Sequence, residues 1–469
     1  MQLFVPKEMD ANEGRVAASP ETVKKLIALG FDVCIEDGAG ARSRLLNGDY
    51  EEAGAKIGAA SDAGKADVVL KVRRPSPAEA KTYKKGAVVI ATMDPFGNEK
   101  DIEALARAGA SSFAMEFMPR ITRAQSMDVL SSQANLAGYQ SVIEGAEVFD
   151  RALPMMMTAA GTVPAAKVFV MGVGVAGLQA IATARRLGAI VTATDVRPAT
   201  KEQVESLGAK FVAVEDDEFR SAETSGGYAK EMSKEYQAKQ AELVATHIAK
   251  QDIVITTALI PGRPAPRLVS KDMMANMRAG SVLVDLAVER GGNVEGAKAG
   301  EIASVGDVSV VGLLNMAGRI AATASLLYSK NLLNFLTTMV DKETKNLAID
   351  WDDELIKATC LTHEGAIVHE AFSGKPAEKP AAEAAPEKKA APAEKGADDL
   401  TRIKGIGPQN RDKLAEVGIV TFADIAKMTA DEQRDIGEKL AFPGRIEREE
   451  WVKQAAEIIA ADQSQKGDQ

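Results

Sequence analysis

Residues 167–195, KVFVMGVGVAGLQAIATARRLGAIVTATD, decide the fold of this chain. Residues 168–171 are a short apolar run, which predicts a strand buried on both faces. Three glycines follow with the spacing G-x-G-x-x-G, and residues 178–187 then have a helical period. Residues 189–194 predict a second strand. The order strand, glycine turn, helix, strand is typical of a βαβ unit in a parallel sheet.

Each glycine has a physical role in that turn. Gly172 lets the chain leave the strand sharply, Gly174 leaves room for a pyrophosphate, and Gly177 lets the helix pack close to the strand. Phosphates would then lie on the free N–H groups of the helix N-terminus. The alternative is a tight turn that binds nothing, but the complete context favours a dinucleotide site.

The second strand ends at Asp195, 18 residues after Gly177. A carboxylate at this position can accept both ribose hydroxyls of an adenosine, and its charge repels the 2′-phosphate of NADP. We therefore predict NAD(H). Arg197 is evidence against this prediction, because a nearby arginine can bind the 2′-phosphate of NADP.

Composition and charge limit the possible functions. The chain has 469 residues, 46% apolar and 26% charged, which predicts about three globular domains. The net charge of −10 argues against a general nucleic-acid binder. Two cysteines cannot make a disulfide framework, and neither a signal-peptide core nor a run of about 20 apolar residues is evident. We expect a cytoplasmic protein with no membrane span of its own.

The three histidines are His247, His363 and His369. Their spacing does not match a metal motif such as HExxH, so no metal is expected. Dehydrogenases that oxidise a C–OH or C–N bond commonly need a histidine beside the hydride. The absence of histidine from the first 246 residues disfavours that class, although a lysine could substitute.

The rest of the chain predicts an α/β protein with two Rossmann-like domains on parallel sheets. Residues 1–132 and 309–371 are expected to form the first domain, and residues 133–308 the NAD(H)-binding domain. The Ala/Pro/Glu/Lys composition of residues 372–398 predicts a flexible linker. Residues 399–462 are expected to form a small all-α domain.

Residue types alone suggest interpretations for several further segments. Strands are predicted at residues 209–214, 252–257 and 281–286, and a long helix at about 316–339. Residues 216–240 are predicted to be a long loop in which Tyr228 is either a lid or part of a solvated insertion. Lys71, after a buried strand, could bind an anion, but a solvated strand end is favoured.

A polar loop precedes a helix predicted at about residues 131–149. It carries Arg120, Gln125, Asp128 and Ser131, which are suited to bind an amide such as the nicotinamide carboxamide. The alternative is a helix cap formed by Asp128 or Ser131, and residue types alone favour it.

The C-terminal stretch LTRIKGIGPQNRDKLAEVGIVTF contains an I-x-G-I-G-P turn at residues 403–408, as in a helix-hairpin-helix. Paired glycines there can hold a DNA phosphate. Because acidic residues outnumber basic ones in residues 399–462, we expect a structural or protein-interaction role and no nucleic acid.

Residues 5–40, the loop PRITRAQSMDVLSSQANLAGY at 119–139, and the Rossmann stretch followed by GGYAKEMS at 226–233 carry a family resemblance. The first ~370 residues resemble the NAD(H)-binding alpha subunit of proton-translocating NAD(P) transhydrogenase. This resemblance implies that Arg120, Asp128 and Ser131 orient the carboxamide, that Ile121 lies at the cofactor, and that Gln125 reaches toward a partner's nucleotide.

The resemblance also implies an adenosine and pyrophosphate site in the second domain. The expected cofactor-binding residues, beyond the motif glycines Gly172 and Gly174, are Val175, Ala176, Gly177, Asp195, Val196, Arg197, Gly227, Tyr228, Gln240 and Leu259.

The chain also resembles alanine dehydrogenase, which has the same fold. Arg15 and Lys71 stand where that family binds its substrate. The histidine expected after the strand at residues 88–92 is missing, since the sequence reads TMDPFGN. Hydride transfer between two nicotinamides needs only proximity, and this fits the missing histidine.

The resemblance implies that NADP(H) is bound on a beta subunit, with a further small membrane subunit, a homodimer of this chain, and peripheral attachment to the inner membrane through partners. The transmembrane helices of longer alpha subunits are absent here. Two alternatives stay open, an alanine-type dehydrogenase and a NAD-responsive scaffold that recruits partners through residues 399–462.

Overall fold

The structure is a computed structural model. The residues that it describes are 1–220, 232–260, 262–373, 398, 400–403, 406, 411, 414, 419–439 and 445–466. The chain divides into two compact units, Met1–Pro380 and Ala381–Gln469.

The described strands all belong to the first unit. In chain order they are β1 (Gln2–Val5), β2 (Asp32–Glu36), β3 (Lys56–Gly58), β4 (Val68–Arg73), β5 (Val88–Thr92), β6 (Ser111–Ala114), β7 (Met156–Thr158), β8 (Gly161–Val163), β9 (Lys167–Met171), β10 (Ile190–Thr194), β11 (Lys210–Phe211), β12 (Ile253–Thr256), β13 (Val282–Asp285), β14 (Ile302–Val305), β15 (Val308–Val311), β16 (Cys360–His363) and β17 (Ala366–Ile367).

The described α-helices of the first unit are α1 (Pro20–Ala28), α2 (Asn47–Glu52), α3 (Pro77–Ala80), α4 (Glu99–Arg107), α5 (Val129–Phe149), α6 (Val175–Arg186), α7 (Thr200–Ser206), α8 (Asp217–Arg220), α9 (Lys234–Ile248), α10 (Lys271–Ala275), α11 (Ala321–Thr337) and α12 (Glu354–Thr359). The second unit has α13 (Phe422–Ala426), α14 (Ala430–Lys439), α15 (Arg445–Arg448) and α16 (Trp451–Lys466).

Among the described residues the first unit contains two large sheets with the same core topology. The first has the parallel order β3-β2-β1-β4-β5-β6, extended by the antiparallel strands β16 and β17. The second has the order β11-β10-β9-β12-β13-β15, with β14 antiparallel at the edge. Both cores follow the doubly wound order 3-2-1-4-5-6, so each sheet has its binding edge at the carboxyl ends of its strands. The predicted α/β class with two Rossmann-like sheets is confirmed.

Two long helices connect the sheets. Helix α5 leads from the first sheet to the second, and α11 returns the chain to β16 and β17, and the two helices contact each other. Continuous apolar strands form the cores on both sides, because parallel strands are covered by helices on both faces. The two helices therefore hold the two sheets next to each other.

Three predicted boundaries are corrected. The helix expected at 316–339 begins as a 3-10 helix, Met316–Ile320, and α11 ends at Thr337. The third strand of the second sheet is limited to Lys210–Phe211. The predicted loop 216–240 contains α8 and the start of α9, where Ser233 caps the helix through the N–H of Tyr236.

The elements that the structure describes in the second unit are all helical, as expected. Leu400, Ile403, Phe422 and Trp451 belong to its apolar core. The glycines and proline of the I-x-G-I-G-P turn lie outside the described residues, so the predicted hairpin turn stays a prediction.

None of the described helices is both long enough and apolar enough to cross a bilayer.

Candidate functional site

The glycine turn after β9 is as tight as the sequence predicts. Gly172 has a φ of +100°, and a Cβ there would lie 2.5 Å from the Thr257 Oγ1 atom. A Cβ on Gly177 would lie 1.9 Å from the Gly172 carbonyl oxygen, while a Cβ on Gly174 would meet no atom within 4 Å. The first and third glycines are thus needed for packing, and the second leaves open space in front of the helix.

Helix α6 begins directly behind that space. Val175, Ala176 and Gly177 occupy its first turn, where N–H groups have no intrahelical acceptor, and the N-cap residue Gly174 has no side chain to cap them. The positive end of the helix therefore points at the open space, as a pyrophosphate requires. The described residues thus fit a dinucleotide at this edge.

Helix α5 packs closely against this turn through a residue that the sequence analysis missed. A Cβ on Gly138 would lie 2.0 Å from the carbonyl oxygen of Ala176. A glycine in the middle of a helix is the signal that could have found it.

Asp195 braces the glycine turn in this structure. Its Oδ2 atom accepts a bond from the Val173 N–H at 2.7 Å, and Oδ1 accepts one from the Arg197 N–H at 2.9 Å. The Arg197 guanidinium adds Nε–Oδ1 and Nη2–Oδ2 bonds of 2.9 and 3.0 Å. A ribose would therefore replace the Arg197 side chain on the carboxylate.

Apolar side chains with exposed surface surround the same edge. Val196 is 56% exposed and Leu259 is 53% exposed, and each lies within three residues of the end of a strand of the second sheet. Gln240 is fixed, because it accepts a bond from the Val214 N–H and donates one to Thr194 Oγ1. The predicted residues Gly227 and Tyr228 lie outside the described residues.

Two buried polar residues that the sequence analysis missed hold the neighbouring loops. The Asn293 amide bonds the N–H and the carbonyl of Ala258. The Asp285 carboxylate accepts bonds from the N–H groups of Ala287 and Val294. Both side chains support loops at the strand ends where ligands bind in such sheets.

The polar loop of the first domain forms a 3-10 helix, Thr122–Met127, just before α5. Arg120 and Gln125 are exposed, and neither side chain has a hydrogen bond or ion pair within the described part of the chain. Ile121, at the start of the turn, is half-buried and packs against the core. The loop thus presents a free guanidinium and a free amide to solvent.

Asp128 caps α5, as the alternative interpretation predicted. Its carboxylate accepts bonds from the Ser131 N–H at 2.9 Å and the Ser131 hydroxyl at 2.5 Å. A carboxylate has about four acceptor positions, so this cap leaves capacity for a ligand N–H. The cap and the cofactor roles are compatible.

Helix α5 fixes the spacing between the two binding edges. Gly138 follows Ser131 by two turns of the helix, which corresponds to about 10 Å along its axis. The polar loop and the pyrophosphate turn are thus two ends of a rigid spacer.

Lys71 and Arg15 lie in a charged cluster of the first domain. Lys71 is 2% exposed, and its Nζ lies 2.5 Å from Glu79 Oε1 and 3.6 Å from Glu8 Oε2. The prediction of a solvated strand end for Lys71 is wrong, because the residue lies within β4. Arg15 pairs with Glu13 at 2.7 Å.

The pKa values in this cluster reflect its burial. Burial by itself raises the pKa of Glu13, but hydrogen bonds from Arg15 and the charges of Arg15 and Arg73 outweigh it and lower the pKa to about 2. Burial raises the pKa of Glu8 despite the Lys71 charge. Glu13 and Gln133 together occupy three of the five N–H donors of Arg15.

Asp94 follows β5 in the segment where the expected histidine is missing. Its carboxylate pairs with Arg290 from the loop after β13. The Glu116 carboxylate accepts a bond from the Met93 N–H at 3.0 Å. The segment after β5 therefore connects the first domain to the loop after β13 in the second domain.

The three histidines lie elsewhere. His247 bonds Thr192, His363 bonds Ser111, and His369 stacks on a phenylalanine ring. Within the described ranges no group of three or more His, Cys, Asp or Glu side chains is arranged to hold a metal ion.

The two Rossmann-like sheets, together with the glycine turn after β9, define the class of protein: a nucleotide-binding protein with two α/β domains. The family model described as "Alanine dehydrogenase/PNT, N-terminal domain" matches residues 4–137, and the model "Alanine dehydrogenase/PNT, C-terminal domain" matches residues 141–370. A third, the "RS2/RL21/YNQ2 HHH domain", matches residues 400–459.

Comparison with individual relatives shows which members of this family the chain is similar to. An NAD(P) transhydrogenase alpha-subunit protein of Rhodospirillum rubrum is 55% identical over 381 residues, 80% of this chain and 99% of that protein. A crystal structure of transhydrogenase from Sinorhizobium meliloti is 67% identical with a TM-score of 0.73, and the match covers 78% of this chain and 100% of that one. Alanine dehydrogenase of Staphylococcus epidermidis is 33% identical over 63% of this chain and 74% of its own.

The chain therefore belongs to the alanine dehydrogenase/PNT family and, within it, to the NAD(P) transhydrogenase alpha subunits.

Proposed function

We propose that this chain is the NAD(H)-binding subunit of a proton-translocating transhydrogenase. It passes hydride between NADH and NADP⁺ held on a beta subunit. The observation that carries this proposal is the polar loop, where Arg120 and Gln125 are exposed and unpaired among the described residues. A closed active site would bury such groups, whereas a site that serves another protein's nucleotide must expose them.

Separate residues hold the two ends of the nucleotide. The N–H groups of Val175, Ala176 and Gly177 take the pyrophosphate, Asp195 takes the ribose, and Val196 and Leu259 cover the adenine. At the other end, Arg120 donates to the carboxamide oxygen, while Asp128 and Ser131 bind its N–H₂. Asp128 retains acceptor capacity for this role while it caps α5.

The chemistry is a transfer of hydride, with its two electrons, between the C4 atoms of two nicotinamide rings. One ring is oxidised and the other is reduced, and neither step needs a proton from the protein. The chain therefore needs to supply position, with the reacting atoms about 3–3.5 Å apart. We propose Re/Si specificity, because a fixed loop offers one face of the ring to the partner.

The partner is proposed to dock over the polar loop. Leu130, in the first turn of α5, is 52% exposed close to Gln125 in the chain and gives the surface an apolar contact. We propose that a small membrane subunit and the beta subunit carry the proton path. A homodimer of this chain would then be attached to the cytoplasmic face of the inner membrane through those partners.

The test is hydride transfer from NADH to an NADP⁺ analogue after the chain is mixed with the NADP(H)-binding subunit. Gln125→Ala is expected to slow transfer by about tenfold or more while NADH still binds. Arg107→Ala is the control, because Arg107 lies on α4 and pairs only with the exposed Glu103 side chain in the described structure. No transfer by the wild-type chain would contradict the proposal, and so would equal rates in both variants.

A further inference from the structure

The carbonyl group of Ser126 is held from helix α11 by two amide side chains. The Asn331 Nδ2 atom donates to the Ser126 oxygen at 2.8 Å, and the Asn334 Nδ2 atom donates to the same oxygen at 3.1 Å. Ser126 directly follows Gln125 in the polar loop. Because two donors share the Ser126 oxygen, they fix the peptide plane directly after Gln125, the residue that faces the partner.

The orientation of the Asn331 amide follows from its other contact. Its Oδ1 atom accepts a bond of 2.7 Å from the Ser132 hydroxyl in the first turn of α5. The Ser126 carbonyl can only accept, so the Asn331 nitrogen must face it. Asn331 is 7% exposed, and a buried amide with both ends bonded has one stable orientation.

The bonds continue to the charged cluster. The Gln133 Nε2 atom donates to Ser132 Oγ at 3.2 Å, and the Gln133 Oε1 atom accepts from Arg15 Nη1 at 2.8 Å. Arg15 in turn is paired with the buried Glu13. The loop is thereby connected through bonded side chains to the most strongly charged region of the first domain.

The outer side of the loop has a different support. Arg123 pairs with Asp353 at 2.6 Å and with Glu354 at 3.1 Å, and all three side chains are partly exposed. The Arg123–Asp353 pair is bidentate, with Nη1–Oδ2 and Nη2–Oδ1 bonds of 2.8 and 2.6 Å, but water competes for its exposed side. Arg123 thus supports the outer side of the loop, whereas the buried amide of Asn331 holds the backbone directly after Gln125.

We propose that Asn331 is a positioning residue for hydride transfer, which sets the polar loop through the Ser126 carbonyl and does not contact either nucleotide. This inference rests on the proposed function of the loop. It predicts that loss of the Asn331 donor slows the transfer step and leaves NADH affinity nearly unchanged, because the pyrophosphate and adenosine contacts lie in the second domain. A misplacement of about 1 Å can slow a reaction about a hundredfold.

Asn331→Asp isolates that donor. The ionised carboxylate keeps the size of the side chain and the acceptor for Ser132 but has no hydrogen to donate to Ser126. Rates are compared at alkaline pH, because burial favours the protonated acid, which could still donate. We expect single-turnover hydride transfer in the complex with the NADP(H)-binding subunit to fall about ten- to a hundredfold. The dissociation constant for NADH, measured from the quenching of nucleotide fluorescence, should change less than about threefold. A roughly thirtyfold weakening would require the loss of a contact worth about 2 kcal/mol, and Asn331 makes no contact with NADH in this proposal.

Asn276→Asp is the control for the same chemical change at an exposed position. The Asn276 amide donates to the Asp272 carbonyl at 2.8 Å at the end of α10, so the same substitution removes the same kind of bond in the second domain. Its transfer rate should stay within about twofold of wild type, as expected for a surface substitution. Ser132→Ala is the second test variant. It removes the hydroxyl that orients Asn331 without burying a charge, and it should slow transfer about two- to tenfold, the equivalent of one hydrogen bond.

The outcomes separate the two proposals. An active wild-type complex with an unchanged rate in Asn331→Asp overturns the role of Asn331, and so does a fall in rate that is matched by an equal loss of NADH affinity. If Asn331→Asp does not fold, an unchanged rate in Ser132→Ala overturns it. A wild-type complex without transfer overturns the proposed function instead.

Discussion

Two polar regions of the first domain differ in how their charges and amides are paired. In the charged cluster, Arg15 and Lys71 are buried and paired with carboxylates of the same domain. In the polar loop, Arg120 and Gln125 are exposed and have no partner among the described residues. The cluster pairs its cations internally, whereas the loop leaves Arg120 and Gln125 without a partner in the described structure.

This difference indicates which region receives a ligand. A ligand for the cluster would have to enter beside cations that carboxylates of the same domain already neutralise. A ligand for the loop displaces only water. The cluster is therefore interpreted as a structural support and the loop as the binding surface, which favours transfer between proteins over oxidation of a small amino acid.

The largest effect is expected from Lys71→Met, measured by chemical denaturation. The substitution leaves the Glu79 and Glu8 carboxylates without their shared cation, and breaking a buried pair costs about 3–5 kcal/mol. Lys56→Met is the control, since the Lys56–Asp32 pair is exposed and its loss should leave the midpoint unchanged. An unchanged free energy of unfolding for Lys71→Met would show that the cluster is not structural.

The pH dependence of stability is the next test of the cluster. The unfolded-state pKa of Glu13 is near 4.5 and its folded-state pKa is about 2. Because the folded pKa is depressed, the stabilisation from Glu13 is complete above about pH 5 and is lost as the pH falls toward 2, on the order of 3 kcal/mol.

Glu13→Gln should remove that component of the acid dependence. The variant keeps an acceptor for Arg15 but cannot titrate, so its unfolding free energy should change less between pH 5 and pH 2 than that of wild type. The raised pKa of Glu8 acts in the opposite direction and is present in both proteins. Parallel curves for the two proteins would contradict the depressed pKa.

A substitution in the polar loop should lower the rate of hydride transfer and leave stability unchanged, the reverse of what is expected for the charged cluster. Arg120→Ala is expected to slow hydride transfer to the partner's nucleotide by about a hundredfold, or about 2.7 kcal/mol, while the denaturation midpoint stays that of wild type. Stopped-flow absorbance of the mixed subunits measures the rate when the partner holds an NADP⁺ analogue whose reduced form absorbs at a different wavelength from NADH. If this substitution lowered stability and left the rate intact, the assignment of the two regions would be reversed.

The smallest effect concerns docking. Leu130→Asp places a charge on the exposed apolar contact of α5 and should weaken binding of the NADP(H)-binding subunit about five- to thirtyfold, a loss of about 1–2 kcal/mol. Titration calorimetry measures it, with NADH affinity as the internal control. Equal weakening of NADH binding would show that Leu130 supports the fold and not the partner.

The sequence predicts strands β9, β10, β12 and β13 of the second sheet well because their signals are local, whereas β14 and β15, of four residues each, are not predicted. The glycine spacing, the apolar strands and the cap at Asp128 all lie within a few residues of the features that they determine. The short strands β3, β16 and β17 have two to four residues and carry too little periodicity to be recognised.

The supports of the site could not be predicted, because they join residues far apart in the chain. Arg15 meets Gln133 across 118 positions, Asn331 meets Ser126 across 205, and Arg290 meets Asp94 across 196. Residue types indicate that such groups need partners but not which partners they find. Lys71 shows the consequence, since a lysine expected in solvent is buried between two glutamates.

The most direct measurement follows the hydrogen itself. NADH deuterated on one face of C4 is mixed with this chain and with the NADP⁺-loaded beta subunit, and the NADPH formed is analysed by mass spectrometry. Deuterium from one of the two faces is expected to appear in NADPH without loss to water, since the loop holds the two rings in direct contact. Loss of the label to water, or NADPH formed without label from either face, would contradict this expectation.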